Sequence, residues 1–187
     1  MALSHGDLSA EVLYTRIHSS CVTSESLRSL DCDCVQQLEH ALKKIAQKEN
    51  GILFYLIQEG RGCGYVGKSR ACMIEQFTRG RVNTFMAYDY LGMKKDYREY
   101  SGIKDILNMM QISPKFVLLT NNPDKIQAIQ EMGLQVVATE VIEFLPNQFN
   151  LNYLDSKSKS GHNLSLTKIS IKNFNFPFDP IEPFEPY

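Results

Sequence analysis

No stretch of this 187-residue chain approaches the roughly 20 consecutive apolar residues that a membrane-spanning helix requires. Its amino terminus, MALSHGDLSAEVLYT, also lacks a basic region followed by an apolar run, the mark of a secretory signal. Together these absences lead to the expectation of a cytoplasmic protein with no membrane partner. An excess of charge of one sign is missing too. Lys and Arg number 20 against 21 Asp and Glu, for a formal net charge of -1, which argues against a nonspecific nucleic-acid surface and confines any anion site to a local patch. Five cysteines are an odd number, and without a secretory signal their uneven spacing suits thiols or metal ligands better than a disulfide framework. No internal repeat or low-complexity tract marks the main body.

What is present is ordinary in amount. A hydrophobic fraction of 43% and a charged fraction of 22% allow one domain with a real core. Val12 to His18 is rich in β-formers and reads as a strand that delivers Arg16 and His18 toward the cysteine-bearing loop. From Val35 to Lys48, Leu38, Ala41, Leu42 and Ile45 recur at helical spacing, so an amphipathic helix is expected there. Gly51 ends it, and Ile52 to Ile57 is a continuous apolar run of the kind found in strands covered on both faces. The stretch holding Gly60, Gly62, Gly64 and Gly67 reads as a flexible loop, followed by a helix over Lys68 to Thr78. Phe116 to Leu119 reads as a buried strand, Asp124 to Met132 as a helix and Leu134 to Thr139 as a last strand. Strands alternating with helices give an α/β domain, with α+β as the alternative: a mixed sheet flanked by helices. Residues 1–162 form the expected catalytic domain. The segment 163–187 is expected to form an extended tail, either packed on a neighbouring surface through its Phe and Tyr residues or disordered, because it carries four of the seven prolines and no helical period.

Three cysteines stand out. Cys21, Cys32 and Cys34 form C-x10-C-x-C just before the amphipathic helix, and two thiolates one residue apart both face one ion if the loop curls. Three protein ligands with a fourth position left to water is the usual plan of a catalytic zinc site. Ordinary buried thiols are the competing reading. Cys63 and Cys72 lie apart from the cluster and read as core or site-lining thiols. A second feature is Gln58-Glu59-Gly60-Arg61-Gly62, where glycines let backbone amides approach a ligand while the guanidinium forks onto phosphate oxygens. Lys68, Arg70, Arg98 and Lys125 add positive charge near loop and helix ends, or are solvated surface residues. Thr120-Asn121-Asn122-Pro123 closes a strand and opens a helix, which fits an anion at free N–H groups or a plain helix cap. Asp96 and Arg98, two residues apart, share a face if extended, as a proton-moving carboxylate beside a phosphate-seeking cation or as an exposed ion pair.

Arg16-Ile-His-Ser-Ser-Cys21, Ser29-Leu-Asp-Cys-Asp-Cys34, Gln37-Leu-Glu, Gln58-Glu-Gly-Arg-Gly, Lys68-Ser-Arg-Ala, Leu91-Gly, Asp96-Tyr-Arg98, Leu118-Leu-Thr-Asn-Asn-Pro123 and Lys125, taken together and in this order, resemble GTP cyclohydrolase II. The resemblance runs from about Gly6 to His162 and closes on Tyr153-Leu-Asp-Ser-Lys. It implies a zinc-dependent hydrolase that removes C8 of GTP as formate and releases pyrophosphate, in riboflavin synthesis, with magnesium on the triphosphate and a homodimeric assembly. By the same resemblance Cys21, Cys32 and Cys34 are the ligands of one zinc ion per chain, Asp96 is the proton acceptor, and Arg98 is the nucleophile at the α-phosphorus. Arg16, Ile17, His18, Ser19, Ser20, Gln37, Glu59, Gly60, Arg61, Thr84, Thr120 and Lys125 fall where the family holds GTP.

Several positions depart from the pattern. Cys72 stands where the family has a tyrosine, and a thiol is a shorter and weaker donor than a phenol, so accumulation of a ring-opened formamide is one expectation. Met86 replaces a carboxylate that would read the N–H groups of guanine, Ser20 replaces a glutamate and Asp31 an arginine, so a different purine nucleotide is a second. A short insertion precedes this stretch around Thr78 to Arg81, and little of the family's upstream strand region lies before the first motif. A nucleotide-binding relative that keeps zinc without turnover is a reading of another class. Retention of all three cysteines with Asp96 and Arg98 speaks against it.

Overall fold

A segment rich in β-formers, Val12 to His18, and two unbroken apolar runs build the centre of one sheet. The computed structural model describes residues 1–173. Its strands are β1 (Ala2–Gly6), β2 (Val12–Ser19), β3 (Asn50–Leu56), β4 (Lys115–Leu119) and β5 (Val136–Glu140), in spatial order β1-β3-β2-β4-β5. β2, β3, β4 and β5 run parallel, and β1 pairs antiparallel with β3 along one edge. The helices are α1 (Val22–Glu25), α2 (Cys34–Gln47), α3 (Gly64–Phe77), α4 (Thr84–Tyr90), α5 (Gly102–Met110), α6 (Pro123–Glu131), α7 (Leu151–Lys159) and α8 (Ser165–Asn173), with a short 3-10 turn at Glu59–Gly62. The α/β expectation is met.

The pleat sorts the core. Leu13 and Ile17 of β2 join Ile52, Phe54, Phe116 and Leu118 under Ile103 and Leu107 of α5 and Ile129 of α6. On the opposite face Leu53 and Leu119 pack against Ala41 and Ile45 of α2. Helices on both faces explain why β3 and β4 read as unbroken apolar runs rather than as alternation. A third cluster, centred on Ala71, Ala87 and Tyr88, joins α3 to α4.

Chain order places the site. From β2 the chain passes through α2 to β3 on one side, then returns across β2 to β4 on the other. The carboxyl ends of strands flanking such a reversal open into a crevice, where ligands bind in open α/β sheets. The loops after β2, β3 and β4 carry Ser20 and the cysteines, Gln58 to Arg61, and Thr120 to Asn122.

Two expectations change. The loop expected up to Gly67 is shorter, since α3 begins at Gly64. Residues 165–173 are helical rather than extended: Glu143 accepts hydrogen bonds from the backbone of Ser165 and Thr167, and Leu164 and Thr167 are buried. The proline-rich remainder of the expected tail lies outside the described residues. Phe116, fully buried between β2 and α5, sets a stability test: Phe116→Ala should lower unfolding free energy by about 3–5 kcal/mol in urea melts.

Candidate active site

Cys21 ends the strand path of β2 and caps α1, Cys32 lies in the turn before α2, and Cys34 is the first residue of α2. Their sulfur atoms all lie within 4.8 Å of one another, with Cys21 and Cys32 at 3.8 Å. A tetrahedral zinc ion with Zn–S bonds of about 2.3 Å holds its sulfur ligands about 3.8 Å apart, so the spacing fits that ion. The protonation chemistry agrees. Hydrogen bonds from the Cys32 and Cys34 thiols, with the Lys68 ammonium nearby, hold the Cys21 thiol far below its ordinary range. The same proximity to Cys21 raises Cys32 and Cys34. Three thiols this close all lose their protons to solvent only when a cation binds among them.

A shell of polar contacts fixes the cysteine loop. Glu25 accepts from the Cys21 N–H at 2.9 Å, from Tyr55 Oη and from His18 Nε2 at 2.8 Å. Glu59 accepts from the Val22 N–H and from Lys68 Nζ, both at 2.7 Å, and Lys68 also reaches Cys21 Sγ at 3.1 Å. Asp33, buried between the two closely spaced cysteines, accepts from Lys157 Nζ at 3.0 Å and from Gln37 Nε2, while Gln37 Oε1 accepts from Arg16 at 2.6 Å. One chain of bonds thus runs from α7 through the cysteine loop to β2.

The cysteines sit in the wall of a cavity of about 880 Å³. Arg16, His18, Ser19, Ser20, Gln37, Glu59, Gly60, Arg61, Cys72, Thr84, Asp96, Arg98, Thr120 and Lys125 line it with them. Ile17 does not: it alternates on β2 with Arg16 and His18, so its side chain enters the core, and its carbonyl accepts from Lys125 Nζ at 2.9 Å. Met86 does not line the cavity either, because α4, capped by the Asn83 side chain, turns it outward to 42% exposure. Position 86 therefore does not read a base in this arrangement.

Several lining groups are buried and unpartnered. Arg16 Nε, His18 Nδ1, Ser19 Oγ, Ser20 Oγ and Asn122 Nδ2 have no hydrogen-bond partner among the described residues. Since Glu25 only accepts, His18 donates through Nε2 and presents Nδ1 as an acceptor; burial keeps the ring neutral by lowering its pKa. Lys125 is buried, and burial together with Arg16, Arg98 and Lys157 pushes its pKa well down. An anion in the cavity would reverse that shift.

The remaining residues divide by role. Gly60 and Arg61 both take positive φ, at 58° and 59°. A Cβ on Gly60 would meet Lys68 Cβ at 2.7 Å, which forbids a side chain there. The turn lays the Arg61 guanidinium on the Phe85 ring, 3.8 Å from its centroid. Asp96 chelates the Arg98 guanidinium, and this pairing raises Arg98 although burial opposes it. Cys72 is raised to about 11 by burial, which leaves it a neutral thiol. Thr120 Oγ1 accepts from the Asn122 N–H, and Asn122 caps α6, so the Thr-Asn-Asn-Pro segment is both a helix cap and a cavity wall.

Tyr153, Lys157 and His162 also line the cavity, and none is singled out as a site residue by the sequence reading. The i, i+4 spacing of Tyr153 and Lys157 is their signal, and the ammonium lies 4.4 Å from the centre of the phenol ring.

An open cavity with a thiol cluster and a basic lining has the make-up of an enzyme site, and the comparisons with known proteins make the chain a hydrolase. The family model for GTP cyclohydrolase II matches residues 1–141. A GTP cyclohydrolase-2 of Shewanella baltica is 44% identical over 168 residues, covering 88% of this chain and 80% of the relative. Those of Shewanella amazonensis and Colwellia psychrerythraea are 41% and 39% identical, covering 88% and 86% of this chain and 80% and 78% of theirs. The chain belongs to the GTP cyclohydrolase II family.

His162 offers a pH test. Burial, with Lys157, Arg61, Arg98 and Lys125 around it, lowers it from 6.5 to about 4. On acidification the unfolded chain takes up this proton first, so its contribution to stability is lost as pH falls from about 6.5 to about 4. His162→Asn should flatten that part of a stability profile measured by urea melts, and an unchanged slope would contradict the assignment.

Proposed function

We propose that this chain hydrolyses GTP, opening the imidazole ring at C8 with release of formate and pyrophosphate. The observation that carries this reading is the union, in one cavity, of three thiols spaced for a zinc ion and a basic lining with unpartnered polar atoms. Cys21, Cys32 and Cys34 would hold the ion, which when bound supplies Lewis acidity and a nucleophilic water near neutral pH. Magnesium would accompany the triphosphate, as it commonly does when bound through phosphates.

The chain's own residues bind and orient. Arg16, held by Gln37 and by the Leu119 carbonyl, and Lys125, held by the Ile17 carbonyl, present fixed cations to phosphate oxygens. Arg61 is kept in place by Phe85, and Ser19, Ser20 and Thr120 add hydroxyls. Asp96 is the proton acceptor and Arg98 the group that meets the α-phosphorus. In the free chain their ion pair keeps the guanidinium protonated, so Arg98 must first yield a proton, with Asp96 as the acceptor at hand, before its nitrogen bonds to the α-phosphorus and the bond to pyrophosphate breaks. The reading includes a homodimer, a cytoplasmic location and a place in riboflavin synthesis.

A second reading rests on Cys72, which lines the cavity as a neutral thiol: the reaction halts at the ring-opened formamide. Zinc-loaded protein given magnesium and GTP, ATP or other purine triphosphates separates the possibilities when formate, pyrophosphate and product mass are followed. GTP should yield pyrophosphate and a ring-opened product, and Cys32→Ser should abolish the ring opening. Stoichiometric formate with free diamine removes the formamide reading, and zinc-loaded protein inert toward every purine triphosphate removes the catalytic one.

A further inference from the structure

One face of α3 crosses the cavity wall. Lys68, Cys72 and Glu75 follow one another at i, i+4 and i+7 and all line the cavity. Lys68 marks the thiol end of the row, since its ammonium touches Cys21 Sγ. Glu75 lies about 10 Å further along the helix axis at 1.5 Å per residue, a separation that a purine ring and a hydrogen bond can span.

Glu75 differs from the other acids of the cavity. Glu59 is paired with Lys68, Asp96 with Arg98 and Asp155 with Lys159. Asp31 and Asp124 are exposed, whereas Glu75 is half-buried. Among the described residues no cation stands within ion-pair distance of Glu75. The one side-chain donor it meets among them is Thr84 Oγ1, at 2.5 Å from Oε1. A carboxylate has about four lone-pair sites, so most of its accepting capacity is unused. Burial raises its pKa, with Asp31 adding to the rise and the Thr84 hydrogen bond and the charge of Arg61 opposing it.

We infer that Glu75 determines base specificity: its carboxylate accepts the N1–H and the exocyclic 2-amino group of a guanine whose C8 points toward the three thiols. This rests on the reading of the cavity as the site of a guanine nucleotide. Guanine offers two adjacent donors on that edge, which a carboxylate accepts together. Adenine offers an acceptor at N1, xanthine a carbonyl in place of the 2-amino group, and hypoxanthine neither at that position. Thr84 steadies Oε1 and leaves Oε2 toward the ligand. With Met86 turned outward, the cavity obtains its base-reading acid from α3 rather than from α4.

The test compares wild type with Glu75→Gln, whose size is unchanged, and with Thr84→Val. Pyrophosphate release and calorimetric binding are measured for GTP, XTP and ITP with zinc-loaded protein and magnesium, after circular dichroism and zinc content establish that each variant is folded and loaded. Wild type should prefer GTP over both. Glu75→Gln replaces an acceptor with an amide N–H that suits the xanthine carbonyl, so the GTP to XTP ratio of kcat/KM should fall by about 100-fold, with the GTP to ITP preference reduced. Thr84→Val should shift the ratio in the same direction by less. If wild type uses GTP and folded Glu75→Gln keeps its GTP to XTP ratio within a factor of about 3, the role of Glu75 is overturned while the function stands. A wild type that neither binds nor cleaves any of the three nucleotides overturns both.

Discussion

Three sulfur atoms within 4.8 Å of one another are an unstable arrangement for thiolates and a stable one around a cation. That constraint explains the polar architecture around the cysteine loop. Glu25 and Glu59 take the backbone N–H groups of Cys21 and Val22, Lys68 neutralises charge at Cys21, and Asp33 joins Gln37 and Lys157. Such surrounding contacts orient ligands and tune their basicity as much as the ligands themselves do.

The same contacts connect the thiol end of the cavity to its basic end. Arg16, Gln37, Asp33 and Lys157 form a continuous run of hydrogen bonds, so β2, α2 and α7 are fixed relative to one another by the groups that line the cavity. Arg16 is buried to the point that its pKa drops to about 10, and burial among cations pushes Lys125 well below its ordinary value. Cations held in this way are costly in the free protein, and an anionic ligand offsets that cost. Binding of a triphosphate and integrity of the thiol cluster are therefore linked through shared side chains.

Legibility in the sequence followed burial. β2, α2, β3, β4 and α6 are readable because each carries a strong apolar period or run, set by a sheet covered on both faces. β1 is not, because four of its five residues are exposed and its pairing with β3 supplies the regularity instead. α4 and α7 carry weak patterns since each faces the cavity with polar residues, and α8 hides behind the composition of the prolines beyond it. Among site residues, motif spacing finds the cysteines and the cations, whose chemistry is distinctive. It places Ile17 in the site by contiguity with Arg16 and His18, although the strand's alternation sends it to the core. It weighs position 86 by chemistry alone and has no means of seeing that α4 turns it outward. Glu75 and Lys157 gain meaning only when α3 and α7 are laid against the cavity.

The central claim is that Cys21, Cys32 and Cys34 grip one zinc ion at the end of a nucleotide cavity. X-ray absorption at the zinc edge, on protein purified without added chelator, tests it most directly. Three sulfur neighbours at about 2.3 Å with one lighter ligand are expected. A zinc ion with no sulfur neighbours, or full turnover of GTP by protein that contains no metal, would contradict the account.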